Sequence, residues 1–397
     1  LLCSSSPSPL QGVTEVLVSA NAQQFEQSGL QFSYYAALVV SATRPASGPV
    51  GGGAVVTVSG VGIGGGACDI ACRFGGLTVV GSPTPAGEVT CVAPPNAAAL
   101  GESLPFSLSL NAQQFSAGDA SFRYTAEWDD ETLSVTPGSG PVGGGTLLVW
   151  RGADLGGGDA YACRFTRAGV AAVATANASL STEGSVRCIA PPLDELGSGP
   201  TLVWVSPNSQ QWFGNLSWSV FDSPSSISAT PASAPTTGGT LVRFKAESGG
   251  LGGGDNYTCR FGDASPALLS PLCAYFEAED ELRCEAPPVS IPAAVPLRIS
   301  HNGQQYYSVS RSFEYYTLPA ALSWSPASGP VAGGTNVSVS IPGDAAYDGC
   351  IHAKNGRCDE PWACAVGSDC TDCAADTGRG CGLSAGSAPT CRFGATV

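Results

Sequence analysis

The chain has 397 residues with a formal net charge of −15, 43% apolar residues and only 12% charged ones, and it contains 52 glycines, 30 prolines and no methionine. That acidity repels phosphate backbones and argues against nucleic acid as a partner. The glycine and proline content argues against long helices and for short strands joined by turns, and no apolar run reaches the roughly 18 residues of a membrane span.

Residues 1–38 open with Cys3 and an SSSPSP stretch and continue into an alternating pair, Val16/Val18. An Asn-x-Gln-Gln-aromatic phrase follows at Asn21, then an FSYY ending with Phe32 and Tyr34 on one side. Residues 39–126 begin with ASGPVGGGA, followed by the alternating pair Val56/Val58, a Cys-Arg-Phe phrase at Cys72 and a Cys-x-Ala-Pro-Pro phrase at Cys91. They close with Phe106/Leu108, a second Asn-x-Gln-Gln at Asn111 and the ending FRYT. Residues 127–222 and 223–317 repeat this order, with Cys-Arg-Phe at Cys163 and Cys259, Cys-x-Ala-Pro-Pro at Cys188 and Cys284, and Asn-x-Gln-Gln at Asn208 and Asn302. Residues 318–397 hold only the opening half: a Gly-Pro turn at Pro330, Asn336, and Cys391-Arg-Phe. The prolines of the opening phrases, Pro49, Pro141, Pro235 and Pro330, set a period of 92 to 95 residues, and self-similarity at a fixed period marks serial domains. Apolar residues at every second position read as half-buried antiparallel strands, and units of this length with frequent turns indicate two-sheet sandwiches.

These four markers, in this order, resemble the IPT/TIG family of immunoglobulin-like domains. The resemblance covers almost the whole chain outside one insert. It implies an all-β fold of tandem IPT/TIG β-sandwiches and says little about activity, because one fold serves many functions. The expected organisation is the second half of such a domain in 1–38, complete domains in 39–126, 127–222 and 223–317, and a first half in 318–397 interrupted by a cysteine-rich insert at 348–390. Either the halves belong to a longer array, or the last half of one copy completes the first half of another by strand complementation. Joining the two halves directly would separate Cys391 from Cys3 by about nine residues, against roughly 19 to 25 in the intact repeats, which argues for intervening residues. With no methionine and no signal peptide, the sequence reads as a mature or internal fragment.

Sixteen cysteines beside two histidines point to an oxidising, extracellular compartment. Each Cys-Arg-Phe cysteine is expected to pair with the Cys-x-x-Pro cysteine of its repeat, as Cys72–Cys91, Cys163–Cys188 and Cys259–Cys284, each closing a loop worth on the order of 3 kcal/mol. Cys3, Cys391, Cys68 and Cys273 lie outside this scheme. They are candidates for links between chains or beyond the sequence, with a bond within the chain or a free thiol as the plainer alternative. The insert holds Cys350, Cys358, Cys364, Cys370, Cys373 and Cys381, enough for three internal disulfides. Its Asn-Gly-x-Cys-Asp-Glu and Asp-Cys-x-Asp-Cys pieces are similar to small calcium-dependent modules of the Lin/Notch type. Asp359, Glu360, Asp369 and Asp372 form a candidate calcium site, since calcium takes clustered oxygen ligands; a disulfide knot with a solvated acidic face is the alternative. No other cofactor is expected.

Sequons at Asn177, Asn215, Asn256 and Asn336 are N-glycan acceptors if exposed. No nucleophile elbow or nucleophile–base pair surrounds His301 or His352, and the GVGIGGG stretch recurs as LGGGD before two other Cys-Arg-Phe strands, which makes it a repeat loop. The expected protein is therefore not an enzyme. It reads as a structural subunit or segment of an extracellular glycoprotein filament, coat or surface appendage, whose partners are other copies of itself and attached glycans. The alternative is an adhesion or receptor ectodomain that binds a protein or glycan.

Overall fold

The computed structural model describes residues 2–63, 69–263, 267–317 and 323–340. The chain divides into two compact units, Leu1–Val220 and Phe221–Val397. Cys68, Cys391, the candidate calcium ligands and the whole insert at 348–390 lie outside the described residues.

The first unit begins with a hairpin of β1 (Gly12–Val18) and β2 (Glu26–Tyr34). Repeat one follows with β3 (Val39–Arg44), β4 (Ser47–Pro49), β5 (Val55–Val61), β6 (Ala71–Phe74), β7 (Leu77–Pro83), β8 (Val89–Val92), β9 (Ser103–Ser109) and β10 (Ser121–Thr125). Its hydrogen-bonded order is β3-β5-β8-β7-β6-β9-β10-β4. Two layers arise because β7 changes partner midway: Leu77–Val80 pairs with β6, and Gly81–Pro83 pairs with β8. The change falls at Gly81, where a Cβ would come within 2.5 Å of Ile70. Repeat two has β11 (Ser134–Thr136), β12 (Ser139–Pro141), β13 (Leu147–Arg151), β14 (Ala162–Thr166), β15 (Val173–Leu180), β16 (Val186–Ile189), β17 (Gly199–Ser206) and β18 (Phe213–Phe221), in the same order, with β15 switching between β14 and β16 after Asn177. Repeat three, in the second unit, forms separate sheets: Ser228–Thr230, Leu241–Lys245, Glu281–Glu285 and Cys273–Phe276 in one, Thr258–Phe261 with Leu297–Ser300 and Tyr306–Ser308 in another, and Ser233–Pro235 with Phe313–Tyr316 and Ala293–Val295 in a third.

Period-two alternation decides what each strand buries. In repeat one, Val56 and Val58 face Cys72, Phe74, Phe106, Leu108, Phe122 and Tyr124 in a single core; repeats two and three each have their own. The alternating residues of the complete repeats are all 3% exposed or less, among them Leu148, Trp150, Val203, Val205, Val242, Phe244, Leu297, Ile299, Phe313 and Tyr315. The first hairpin departs from this pattern. Val16, Val18 and Phe32, which sequence alternation places inward, are 37%, 43% and 40% exposed, because no second layer among the described residues lies over them.

A tyrosine hydroxyl ties the closing strand to the proline-rich turn. Tyr124 Oη donates to the carbonyl of Pro94 at 2.9 Å and Tyr315 Oη to that of Pro287 at 3.0 Å, in each case three residues after the turn cysteine. Tyr34 Oη donates at 2.8 Å to the carbonyl of Ser6, three residues after Cys3. The hydroxyl bond to the carbonyl three residues after a cysteine is thus common to residues 1–38 and to repeats one and three. The peptide bonds preceding Pro45, Pro137, Pro231 and Pro326 are cis, one per repeat opening.

Burial pushes the Tyr124 phenol up to about 12, whereas an unfolded tyrosine ionises near 10. Stability from this group is therefore complete below pH 10 and lost as pH rises towards 12. Tyr124→Phe should lower denaturant stability of the first repeat by about 1 kcal/mol at neutral pH through the orphaned carbonyl, and should flatten the alkaline limb of the stability–pH curve.

Candidate functional site: the joint between repeats and the cysteine clusters

The Asn-x-Gln-Gln phrase is a turn organised by its asparagine. Asn208 Oδ1 accepts from the backbone N–H groups of Gln210 and Gln211, both at 3.1 Å, while Asn208 Nδ2 donates to Gln211 Oε1 at 2.6 Å and Ser206 Oγ donates to Asn208 Oδ1 at 3.3 Å. The turns at Asn111 and Asn21 have the same set of bonds. The residue after each asparagine is left-handed, with φ of 60° at Ala22, 56° at Ala112 and 61° at Ser209, a conformation costly for a side chain unless the surroundings fix it. The aromatic residue that follows has its own partner. Arg73, Arg164 and Arg260, pointing outward between their core cysteine and phenylalanine, lie over Phe115, Trp212 and Tyr306 at 4.1, 4.5 and 3.9 Å from the ring centres.

This turn of repeat two also grips repeat one. Asn208 Nδ2 donates to the Ser47 carbonyl at 3.1 Å, and Asn208 is 2% exposed. The Gln210 amide pairs with the Val55 backbone as a neighbouring strand would, donating to its carbonyl and accepting from its N–H, both at 2.8 Å. Asp159 completes the joint: one carboxylate oxygen accepts from the Ala46 N–H at 2.6 Å and the other from Ser47 Oγ. Asp159 lies in the LGGGD loop, which is held by Tyr161 Oη donating to the Leu155 carbonyl at 2.9 Å and accepting from the Gly158 N–H at 3.0 Å. The sequence showed the loop and turn as repeated but not as two halves of one clamp; the signal lay in their co-recurrence, with Asp255, Asn302 and Gln304 at the same places in repeat three. Repeat one carries Cys68 at the sequence position of Asp159.

Disulfides join Cys72 to Cys91 and Cys163 to Cys188, bridging β6 to β8 and β14 to β16. In repeat three, Cys259, Cys273 and Cys284 bring their sulfurs within 4.8 Å of one another. Cys284 is within bonding reach of both others: Cα separations are 6.5 Å to Cys259 and 4.2 Å to Cys273, which lies directly opposite it on the adjacent strand. Cys273 is thus placed beside the staple of its own repeat. Cys3 is exposed and forms no disulfide among the described residues. The four sequon asparagines, Asn177, Asn215, Asn256 and Asn336, are all exposed. His301 is 1% exposed and enclosed by the rings of Phe221, Tyr257 and Tyr307, with centres 4.5 to 5.8 Å away. Burial lowers its pKa to about 4, partly opposed by the nearby Asp280 carboxylate.

The IPT/TIG domain model matches residues 38–124 and 131–219. The chain carries tandem IPT/TIG domains. Repeat three shares their motif order, and it shares the tyrosine bond of repeat one. Among solved structures, the full extracellular region of plexin A4 is 16% identical with a TM-score of 0.37, over 76% of this chain and 26% of that one. An ICAM-5 D1–D4 ectodomain fragment is 12% identical with a TM-score of 0.21, over 73% of this chain and 80% of that one. Invasin, a bacterial integrin-binding protein, is 11% identical with a TM-score of 0.18, over 72% of this chain and 62% of that one. The chain spans 26% and 34% of the two plexin A4 chains it matches. A search of curated proteins found no match. No helix among the described residues is long and apolar enough to cross a membrane.

Two outcomes follow for repeat three. Because the folded His301 resists protonation, the unfolded chain binds a proton first as pH falls below 6.5. Stability is complete above that pH and drops by on the order of 2–3 kcal/mol towards pH 4. Hydrogen exchange across residues 223–317 at pH 7 and pH 5 should register this loss, and His301→Phe should remove it. Among the cysteines, Cys284→Ser should cost about 3 kcal/mol, whereas Cys273→Ser should leave the Cys259–Cys284 staple and the melting temperature unchanged; equal losses in both variants would contradict this division.

Proposed function

We propose that the chain is a structural subunit or segment of an extracellular glycoprotein filament, coat or surface appendage, in which IPT/TIG repeats are joined end to end in a longer array or a head-to-tail polymer. The observation that carries this reading is the inner face of the first hairpin, which the described residues leave uncovered and whose Val16, Val18 and Phe32 correspond to core residues of the complete repeats. A face of that kind requires a covering layer. Residues 318–397 contain the complementary motifs, including Ser328-Gly329-Pro330 and Cys391-Arg392-Phe393. The directional clamp between repeats one and two supports serial, fixed stacking over a flexible string. Glycans at the four exposed sequons, calcium at Asp359, Glu360, Asp369 and Asp372, disulfides within the insert and a link from Cys3 to Cys391 of another copy belong to the same reading. So does a non-catalytic role, in keeping with the enclosure of His301 among aromatic rings.

Electron microscopy of the purified chain should reveal filaments or sheets with an axial repeat of about four domains. Treatment with a chelator should loosen them, and N-glycosidase should lower the mass of the chain. Monodisperse particles that capture a protein or glycan ligand would replace this reading with the adhesion ectodomain alternative.

A further inference from the structure

Repeat three differs from its neighbours at one position beside its staple. The turn cysteine of each repeat faces one residue on the adjacent strand: Gly81 opposite Cys91, Ala178 opposite Cys188 and Cys273 opposite Cys284. In repeats one and two that residue has no sulfur. In repeat three it places a third sulfur within 4.8 Å of both sulfurs of the staple.

The two bonds open to Cys284 differ in what they join. Cys259 lies on the strand Thr258–Phe261, which pairs with Leu297–Ser300 in one sheet, whereas Cys273 and Cys284 lie on paired strands of another. A Cys259–Cys284 bond therefore ties layer to layer, and a Cys273–Cys284 bond ties one layer to itself. A sulfur forms one disulfide at a time, and the bond between layers is the resting one. Its Cα separation of 6.5 Å matches the 6.3 and 6.4 Å of the staples in repeats one and two, while the 4.2 Å between Cys273 and Cys284 falls just below the usual disulfide range of about 4.4–6.8 Å. Access differs as well: Cys259 and Cys284 are buried, and Cys273 is half-buried on the edge strand of its sheet. The chain just before Cys273 is held to both layers. The Ser270 N–H donates to the Cys259 carbonyl and the Leu272 carbonyl accepts from the Glu285 N–H, both at 2.9 Å. Cys273 thus sits where the chain passes from one layer to the other.

We infer that repeat three carries an internal thiol–disulfide switch, in which Cys273 exchanges with the Cys259–Cys284 staple and moves the bond from between the layers to within one. The Cys273 thiolate attacks Cys284 Sγ. A Cys273–Cys284 bond forms, the Cys259–Cys284 bond breaks, and the Cys259 sulfur leaves as a thiolate and takes up the proton that Cys273 gave up. The number of disulfides is unchanged, so no oxidant or reductant is consumed. The freed Cys259 sulfur stays in the core beside Cys284, where the reverse attack restores the staple. In the switched form no covalent bond joins the two layers of repeat three, and the remaining disulfide has its half-buried sulfur, Cys273 Sγ, open to thiols from outside. The switch is confined to repeat three, because Gly81 and Ala178 cannot perform it.

The test follows the loss of each staple in the folded full chain under dithiothreitol, whose two thiols reduce one disulfide and close into a ring. Samples are quenched in acid, digested with pepsin and mapped by mass spectrometry. The repeat-three staple should be lost about tenfold faster in wild type than in Cys273→Ser or Cys273→Ala, while Cys72–Cys91 and Cys163–Cys188 should be lost at the same rate in all three proteins. Before reductant is added, the wild-type map should contain a minor Cys273–Cys284 linkage, matched by free Cys259 thiol. The inference is overturned if the repeat-three staple is lost within twofold of the same rate in wild type and both variants, if no Cys273–Cys284 linkage is found, or if Cys273 is recovered bonded to any other cysteine. None of these results bears on the filament reading, which does not involve these sulfurs.

Discussion

Each complete repeat of this chain depends on one constraint: the apolar face of its closing hairpin, which shares a sheet with the Cys-Arg-Phe strand, must be covered by the layer carrying the strands of the Gly-Gly-Thr/Ala and Cys-x-x-Pro phrases. Phe74 meets Phe106 and Phe122 edge-on at 5.0 and 5.1 Å, and Phe261 meets Phe313 at 5.3 Å, so the Cys-Arg-Phe strand and the closing hairpin present one interlocked aromatic face to the opposite layer. The disulfide holds the same two layers covalently, and the tyrosine hydroxyl fixes the closing strand to the turn that follows the second cysteine. In the first hairpin the ring pair Phe32–Tyr34 is already arranged, with centres 5.0 Å apart at 72°, close to the 5.2 Å and 78° of Phe122–Tyr124. The first hairpin thus carries the ring arrangement of the closing hairpin of repeat one.

The polar features follow from this apolar scheme. Once Cys, Phe and the alternate residues of β9 point inward, the arginine between Cys and Phe must point outward, where it lies over the aromatic residue of the turn. That contact pins the turn from outside, and the asparagine pins it from within. The turn can then present Asn208 and Gln210 to the next repeat at a fixed angle, because their side chains are already committed to one geometry and lose little further freedom in docking. Hydrogen bonds are directional in a way that apolar contact is not, so a joint of this kind specifies orientation more than it supplies affinity.

Much of this was legible in the sequence because it repeats. Period-two alternation marked Val56/Val58 through Phe313/Tyr315 as inward, and the recurrence of two cysteines per repeat marked the layers they connect. What could not be read was anything that depends on two segments meeting. That β7 belongs to both layers is decided by space at Gly81, and no local signal distinguishes it from an ordinary edge strand. The clamp residue Asp159 looked like part of a glycine-rich loop, because its partners, Ala46 and Ser47, lie more than a hundred residues earlier. Cys273 looked like an outlier since its neighbour Cys284 was already assigned, and only strand pairing places three sulfurs together. The exposure of Val16, Val18 and Phe32 reverses the expectation from alternation for a simple reason: alternation reports which face a side chain takes, and burial needs something on that face.

The clamp alone cannot choose its partner, because the same asparagine and glutamine recur in every copy of the turn and each could grip any Ser-Gly-Pro turn. Within one chain the choice is made by connectivity, since a neighbouring repeat on a short linker is present at millimolar effective concentration, on the order of 1 mM. The clamp itself adds a few hydrogen bonds, each worth about 1 kcal/mol net, so connectivity supplies the association of neighbouring repeats and the clamp sets the angle between them.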